Sequence, residues 1–165
     1  MKADAAAVDL FCGVGGLTHG LETAGIPVEV GVDCDEECEY AYDANNDARF
    51  EQNDVADLDA DRVADWLDAG TVGILAGCAP CQPFSNLNNG EDSSERDDWG
   101  LLHEFGNLVE ETEPEIVVME NVAEIRNQPV YSEFMNTLWR AGYDASYSVV
   151  QCPDYGIPQD RKRVV

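Results

Sequence analysis

The stretch Ala6-Ala7-Val8-Asp9-Leu10-Phe11-Cys12-Gly13-Val14-Gly15-Gly16 decides the fold. Its first five residues read as a short apolar strand, its glycines force a turn, and residues 17–24 continue in a helical pattern. Strand, glycine loop and helix together let the backbone approach a nucleotide-like ligand closely and aim amide N–H groups at it. The spacing is not that of a dinucleotide loop, because Gly13, Gly15 and Gly16 are followed by Leu17 and Thr18. Nor does it end in the Gly-Lys-Ser/Thr of a phosphate loop. Taken alone, such a loop is as often only a tight turn.

Working outward, residues 28–32 read as a second strand ending in Asp33-Cys34-Asp35. An acid at this point is placed to accept hydrogen bonds from ribose hydroxyls, and an acid there also caps a following helix. We assign Asp33 to the ribose and Asp35 to the cap of a helix beginning near Glu36. Cys34 and Cys38 stand at helical i, i+4 spacing with no histidine nearby, which reads as packing rather than metal. Asn53-Asp54-Val55 reads as the end of a third strand, with Asp54 either a contact for an exocyclic amine or a turn aspartate. Leu58, Val63, Trp66 and Leu67 suit an amphipathic helix closed by Gly70.

Residues 72–76 read as a buried strand broken by Gly77-Cys78-Ala79-Pro80-Cys81-Gln82-Pro83-Phe84-Ser85. Cys81 thus falls on a loop at a strand's carboxyl end, where open α/β sheets bind ligands. The Cys78/Cys81 pair reads three ways: a redox pair, half a zinc site, or a nucleophile with an incidental neighbour. Residues 86–98 are almost without apolar side chains and read as a mobile loop able to close over a substrate. Leu101, Leu102, Phe105, Leu108 and Val109 repeat on a helical face. Ile116-Val117-Val118-Met119 reads as a buried strand ending in Glu120-Asn121-Val122. A carboxylate there is costly unless paired or used, which suits either a proton donor or a group that holds a neighbouring loop. A helix over residues 131–141, a strand alternating over 145–150, and a loop then lead to Gln159-Asp160-Arg161-Lys162-Arg163-Val164-Val165. Strands alternating with helices define an α/β domain.

The 165 residues suffice for one domain with a real core. The net charge is −25, from 34 acidic and 9 basic residues, and Lys2 and Lys162 are the only lysines. Such a surface repels nucleic acid in ordinary salt. Either nucleic acid is no partner, or the protein works in concentrated salt, where charges are screened within about 3 Å at 1 M. The acids are spread along the chain rather than gathered in a tail, which favours adaptation to salt, a halophilic protein. Three of the nine basic residues gather at Arg161, Lys162 and Arg163, which suggests an anionic partner such as phosphate. Six cysteines, no apolar signal core and no membrane-length run make a reducing cytoplasm the expected setting.

Asp9-Leu10-Phe11-Cys12-Gly13-Val14-Gly15-Gly16, Pro80-Cys81-Gln82-Pro83-Phe84-Ser85, Glu120-Asn121-Val122 and Gln159-Asp160-Arg161-Lys162-Arg163, in that order, resemble the DNA (cytosine-5) methyltransferase family. The resemblance implies a Rossmann-like fold dependent on S-adenosylmethionine, with a mostly parallel sheet and helices on both faces. It implies methyl transfer to carbon 5 of a flipped-out cytosine in double-stranded DNA. Cys81 matches the nucleophile, Glu120 the acid that protonates ring nitrogen 3, and Arg163 and Arg161 the arginines that hold base and phosphate. Phe11, Gly13, Gly15 and Gly16 match the loop under the cofactor. Asp33, with Cys34 beside it, matches the ribose end, Asp54 the adenine contact, and Pro80 the cofactor side of the nucleophile loop. Gln82, Ser85, Asn121 and Gln159 fall on the substrate side. Cys78 and Ala79 depart from the pattern, where glycine and proline are commoner. The chain also stops where family members continue into a target-recognition domain. The resemblance therefore implies an incomplete single catalytic domain, 1–165, a fragment or one half of a split enzyme that needs a second chain. Family branches that methylate tRNA, and a cofactor-binding or regulatory module without catalysis, remain the other readings.

Overall fold

The structure, a computed structural model, describes residues 4–80 and 100–165. Cys81, Gln82, Ser85 and the polar segment 86–98 lie outside the described residues.

Five strands, β1 (Ala6–Leu10), β2 (Val28–Asp33), β3 (Arg49–Gln52), β4 (Gly73–Gly77) and β5 (Ile116–Met119), form a sheet in the order β3-β2-β1-β4-β5. Every neighbouring pair is parallel, so all five carboxyl ends open on one edge. The connections carry α1 (Gly16–Thr23), α2 (Glu39–Asn45), α3 (Ala60–Leu67) and α4 (Gly100–Thr112), and α5 (Pro129–Arg140) follows β5. Strands covered on both faces must be apolar nearly throughout, and every residue of β1 and β4 is buried.

Two cores result. On one face Val8, Leu10, Val30, Val32 and Leu75 pack with Val63 and Leu67 of α3, Phe105 and Val109 of α4, and Phe134 and Leu138 of α5. On the other, Ala7, Val28, Phe50 and Ile74 pack around Tyr42 of α2. Each fully buried Val, Leu or Phe contributes about 1.5–3 kcal/mol by leaving water. The α/β architecture with helices on both faces is the one expected.

The helix expected near Glu36 opens as a 3-10 turn, Glu36–Cys38, before α2. Asp35 caps it as expected, its Oδ1 accepting from the Glu37 amide at 3.0 Å. Beyond β5 the chain builds a second sheet from β6 (Asn121–Val122), β7 (Val149–Gln151) and β8 (Lys162–Val164), antiparallel in the order β6-β8-β7. The strand expected over 145–150 is thus shorter. Ser148 still exchanges backbone hydrogen bonds with Val165 (2.8 and 3.0 Å), but Ala145 packs on the core and the Tyr147 ring stands edge-on to Tyr131 at 6.0 Å. Ala145 and Tyr147 thus face the core and α5 and stand outside the ladder. The outer side of β5 carries no further strand among the described residues. A cavity of about 410 Å³ lies there, between β5, α5 and residues 143–147.

Candidate functional site

The strand order reverses between β1 and β4, whose connections leave in opposite directions. At that switch point α/β sheets bind ligands beyond their carboxyl ends. The first loop residue, Phe11, is half-buried and takes a left-handed backbone (φ 58°), a conformation costing a non-glycine residue about 1 kcal/mol or more. Gly13 (φ 51°) and Gly15 (φ 85°) continue the turn. A Cβ on Gly15 would also collide with Asn46 Nδ2 and with the Tyr42 ring, 2.8 Å away at Cδ2. Gly16, the first residue of α1, has open space around it. The loop is tied to the end of β2: the Gly13 amide donates to Asp33 Oδ2 at 2.8 Å, and the Asp35 amide donates to Asp33 Oδ1 at 3.0 Å. Cys34 is an exposed free thiol beside them. Asp54 is exposed at the end of β3, and its Oδ1 accepts from the Ala56 amide at 3.0 Å, capping a 3-10 turn.

The second limb of the site lies at the ends of β4 and β5. The Cys78 amide donates to the Leu10 carbonyl (3.2 Å) and the Glu120 amide to the Gly77 carbonyl (3.0 Å). Asn121, 3% exposed, donates from Nδ2 to the Ala79 carbonyl at 2.9 Å, while its Oδ1 accepts from the Val122 amide at 2.8 Å. The loop is therefore fastened to the β5–β6 junction up to the half-buried Pro80, next to Cys81. Asn121, expected on the substrate side, has both side-chain polar atoms engaged by the backbone.

Glu120 Oε1 lies 2.7 Å from Arg163 Nε, with side-chain exposures of 29% and 17%. The β6–β8 register, Val122 opposite Arg163, brings these two together. Arg163 also donates from Nη1 to the Lys162 carbonyl at 2.7 Å. Burial, and then the neighbouring Glu120 charge, push the Cys78 thiol up, so it remains protonated at neutral pH. Arg161 and Gln159 are exposed. Arg161 accepts from the Cys152 amide through its carbonyl (2.9 Å), and the Gln159 amide donates to Ile157 (2.8 Å). The fold thus gathers Phe11, Gly13, Gly15, Asp33, Cys34, Asp54, Pro80, Glu120 and Arg163 on the carboxyl edge. They stand on two adjoining limbs, the first presenting the glycine loop and the Asp33 carboxylate, the second the carboxylate–guanidinium pair of Glu120 and Arg163.

Sequence reasoning passed over Asp9, Thr18 and Tyr42, which form a buried polar chain beneath the glycine loop. The available signal was an aspartate inside an otherwise apolar five-residue strand, AAVDL.

Comparison with known proteins places these features in a family. Residues 5–165 match the family model for C-5 cytosine-specific DNA methylase. The type II methylase M.HgiDII of Herpetosiphon aurantiacus is 45% identical over 163 residues, covering 97% of this chain and 46% of that protein. The type II methyltransferase M.XorII of Xanthomonas oryzae is 31% identical, with 96% of this chain and 39% of that protein covered. In fold, the chain is similar to the Dnmt2 methyltransferase of S. pombe (TM-score 0.76, 20% identity, 97% of this chain and 47% of that one). The chain spans less than half the length of these relatives.

Proposed function

Because the chain belongs to the C-5 cytosine-specific DNA methylase family, we propose that it forms the cofactor-binding and catalytic part of an enzyme methylating cytosine in double-stranded DNA. The observation that carries this reading is the Glu120–Arg163 pair (2.7 Å) beside a loop that Asn121 fastens just ahead of Cys81. S-adenosylmethionine, when bound, supplies an electrophilic methyl group for carbon 5 of the base. The residues present fit that ligand. Gly13 leaves bare backbone with no atom within 4 Å of where a Cβ would stand, and Asp33 keeps lone pairs for ribose hydroxyls after accepting from two amides. Phe11, Gly15, Gly16, Cys34, Asp54 and Pro80 would line the same pocket.

Carbon 5 of cytosine is a poor nucleophile. In the proposed reaction the Cys81 thiolate bonds to carbon 6 while Glu120 delivers a proton to ring nitrogen 3, leaving carbon 5 enamine-like. After methylation, carbon 5 gives its proton to water, Cys81 departs with the carbon–sulfur electron pair, and ring nitrogen 3 returns its proton to Glu120, restoring the ring. Arg163 orients Glu120, Arg161 meets phosphate, and Gln82, Ser85 and Gln159 contact the base or its flanks. Asn121 serves by holding the loop. DNA reading is assigned to a target-recognition part, on the same polypeptide or on a second chain. With a net charge of −25, the protein meets DNA best in concentrated salt.

Covalent trapping tests the proposal. In high salt, with S-adenosylmethionine and DNA containing 5-fluorocytosine, whose carbon 5 substituent cannot leave, the chain should form a denaturation-resistant adduct that Cys81→Ser abolishes. An adduct that persists in Cys81→Ser would overturn the assignment. Adduct formation only when a partner chain is added would support the split arrangement.

A further inference from the structure

Asp9 is a buried carboxylate that the proposed chemistry does not use. It lies within β1, 0% exposed, opposite Gly31 on β2 and Ala76 on β4. Its Oδ2 accepts from both the backbone amide (3.0 Å) and the hydroxyl (2.7 Å) of Thr18, in the first turn of α1. Since the Thr18 proton goes to Asp9, Thr18 Oγ1 is left to accept from Tyr42 Oη, 3.1 Å away. Tyr42 reaches it because Gly31 has no side chain: a Cβ there would collide with the Tyr42 hydroxyl. Asp9 Oδ1 accepts no hydrogen bond among the described residues.

Keeping a carboxyl here is expensive. Burial pushes its pKa up to about 7, against the opposing effect of its two Thr18 bonds, and Asp33 adds to the rise. The other titratable groups facing it are Cys12 from the loop, Tyr42 from α2 and Cys78 at the end of β4, and none of these groups brings positive charge. An apolar side chain of equal size would fill the space without that cost. What it would not do is pin α1. The glycine loop is tied to β2 by the Cys12 amide on the Val32 carbonyl (3.0 Å) and by Gly13 on Asp33, while Thr18 on Asp9 ties the start of α1 to β1 and, through Tyr42, to the helix beyond β2.

We propose that Asp9 is the positioning residue of the cofactor loop: through Thr18 and Tyr42 it sets the first turn of α1 against the end of β2, so that breaking the chain of hydrogen bonds weakens S-adenosylmethionine binding without unfolding the protein. This rests on the cofactor assignment above. An ionised Asp9 holds Thr18 more strongly than a protonated one, so affinity rises with pH through about 7.

The test is calorimetric titration of S-adenosylmethionine into the full chain, in high salt between pH 6 and 8.5, for the natural protein, Asp9→Asn, Thr18→Val and Thr18→Ser. Expected are a roughly tenfold loss of affinity in Thr18→Val and Asp9→Asn at pH 8, near-natural affinity in Thr18→Ser, and a flat pH profile in Asp9→Asn. Amide exchange over residues 13–18 should quicken in Thr18→Val even without cofactor. Should Asp9→Asn fail to fold, the two Thr18 variants decide. Equal affinity in Thr18→Val and Thr18→Ser overturns the proposal while leaving the cofactor assignment intact. No binding by the natural chain overturns both.

Discussion

At the β1–β2 end of the carboxyl edge, most of what shapes the candidate cofactor pocket comes from one continuous stretch: strand, glycine loop, helix, strand, and Asp33, with Asp54 and Pro80 added from β3 and β4. Its anchors are deep, with Asp9, Thr18 and Tyr42 all 0% exposed. At the β4–β5 end, the candidate catalytic groups come from three segments far apart in sequence, around Cys78, Glu120 and Arg163. There the supports are shallow: β7 is mostly exposed, and β8 buries only Val164. The first limb is held by the burial of a central sheet, the second by a few hydrogen bonds across a small antiparallel sheet. Changes in the first should register in global stability, and changes in the second should loosen the site locally.

The largest effect expected of this difference is at Asp9. Its native pKa of about 7 stands above the ordinary 3.8, so the native state favours the protonated form. The stability Asp9 contributes is therefore full below about 3.8 and lost as pH rises through about 7, a swing of up to about 4 kcal/mol. Urea denaturation of Asp9→Asn across pH 4–8 should show a profile lacking that fall; parallel profiles would break the comparison. Gly15→Val comes next. It meets Asn46 and Tyr42 and a left-handed backbone, for a loss of about 2–4 kcal/mol in thermal or urea unfolding. Tolerance of this substitution within 0.5 kcal/mol would contradict the rigidity assigned to the loop.

In the second limb, Asn121→Ala should cost about 1–3 kcal/mol by leaving the buried Ala79 carbonyl without its donor. Hydrogen exchange should quicken around residues 77–79 and not in β1. Arg163→Lys should cost about 1 kcal/mol or less, because the pair with Glu120 is partly exposed. Adduct formation with 5-fluorocytosine DNA should fall at least tenfold, since a point charge does not reproduce the Nε contact. A stability loss larger than that of Gly15→Val would reverse the ranking of the two limbs.

The same difference governs what the sequence made legible. The glycine loop, the Asp35 cap and the apolar strands were readable because each is a local pattern: an apolar run, a glycine cluster, an acid ahead of a helical turn; their parallel arrangement followed from the family resemblance. Glu120 and Arg163 were each singled out, but their pairing was not read, since no periodicity announces that residues 43 positions apart will meet. The Asp9–Thr18–Tyr42 chain was missed because hydrophobic patterning averages over a lone polar residue, and because the space Gly31 leaves for Tyr42 exists only once two strands pair. The strand over 145–150 was read too long because alternation alone does not distinguish pairing from packing against a helix.

The loop ahead of Cys81 is held by main-chain carbonyls: Gly77 accepts from the Glu120 amide and Ala79 from Asn121. Substitution at a side chain does not delete a carbonyl. Residues 78 and 79, a cysteine and an alanine here, therefore keep these anchors through their backbone and not their side chains. A change of side chain at either position leaves both bonds available, whereas a change at Asn121 removes one of them.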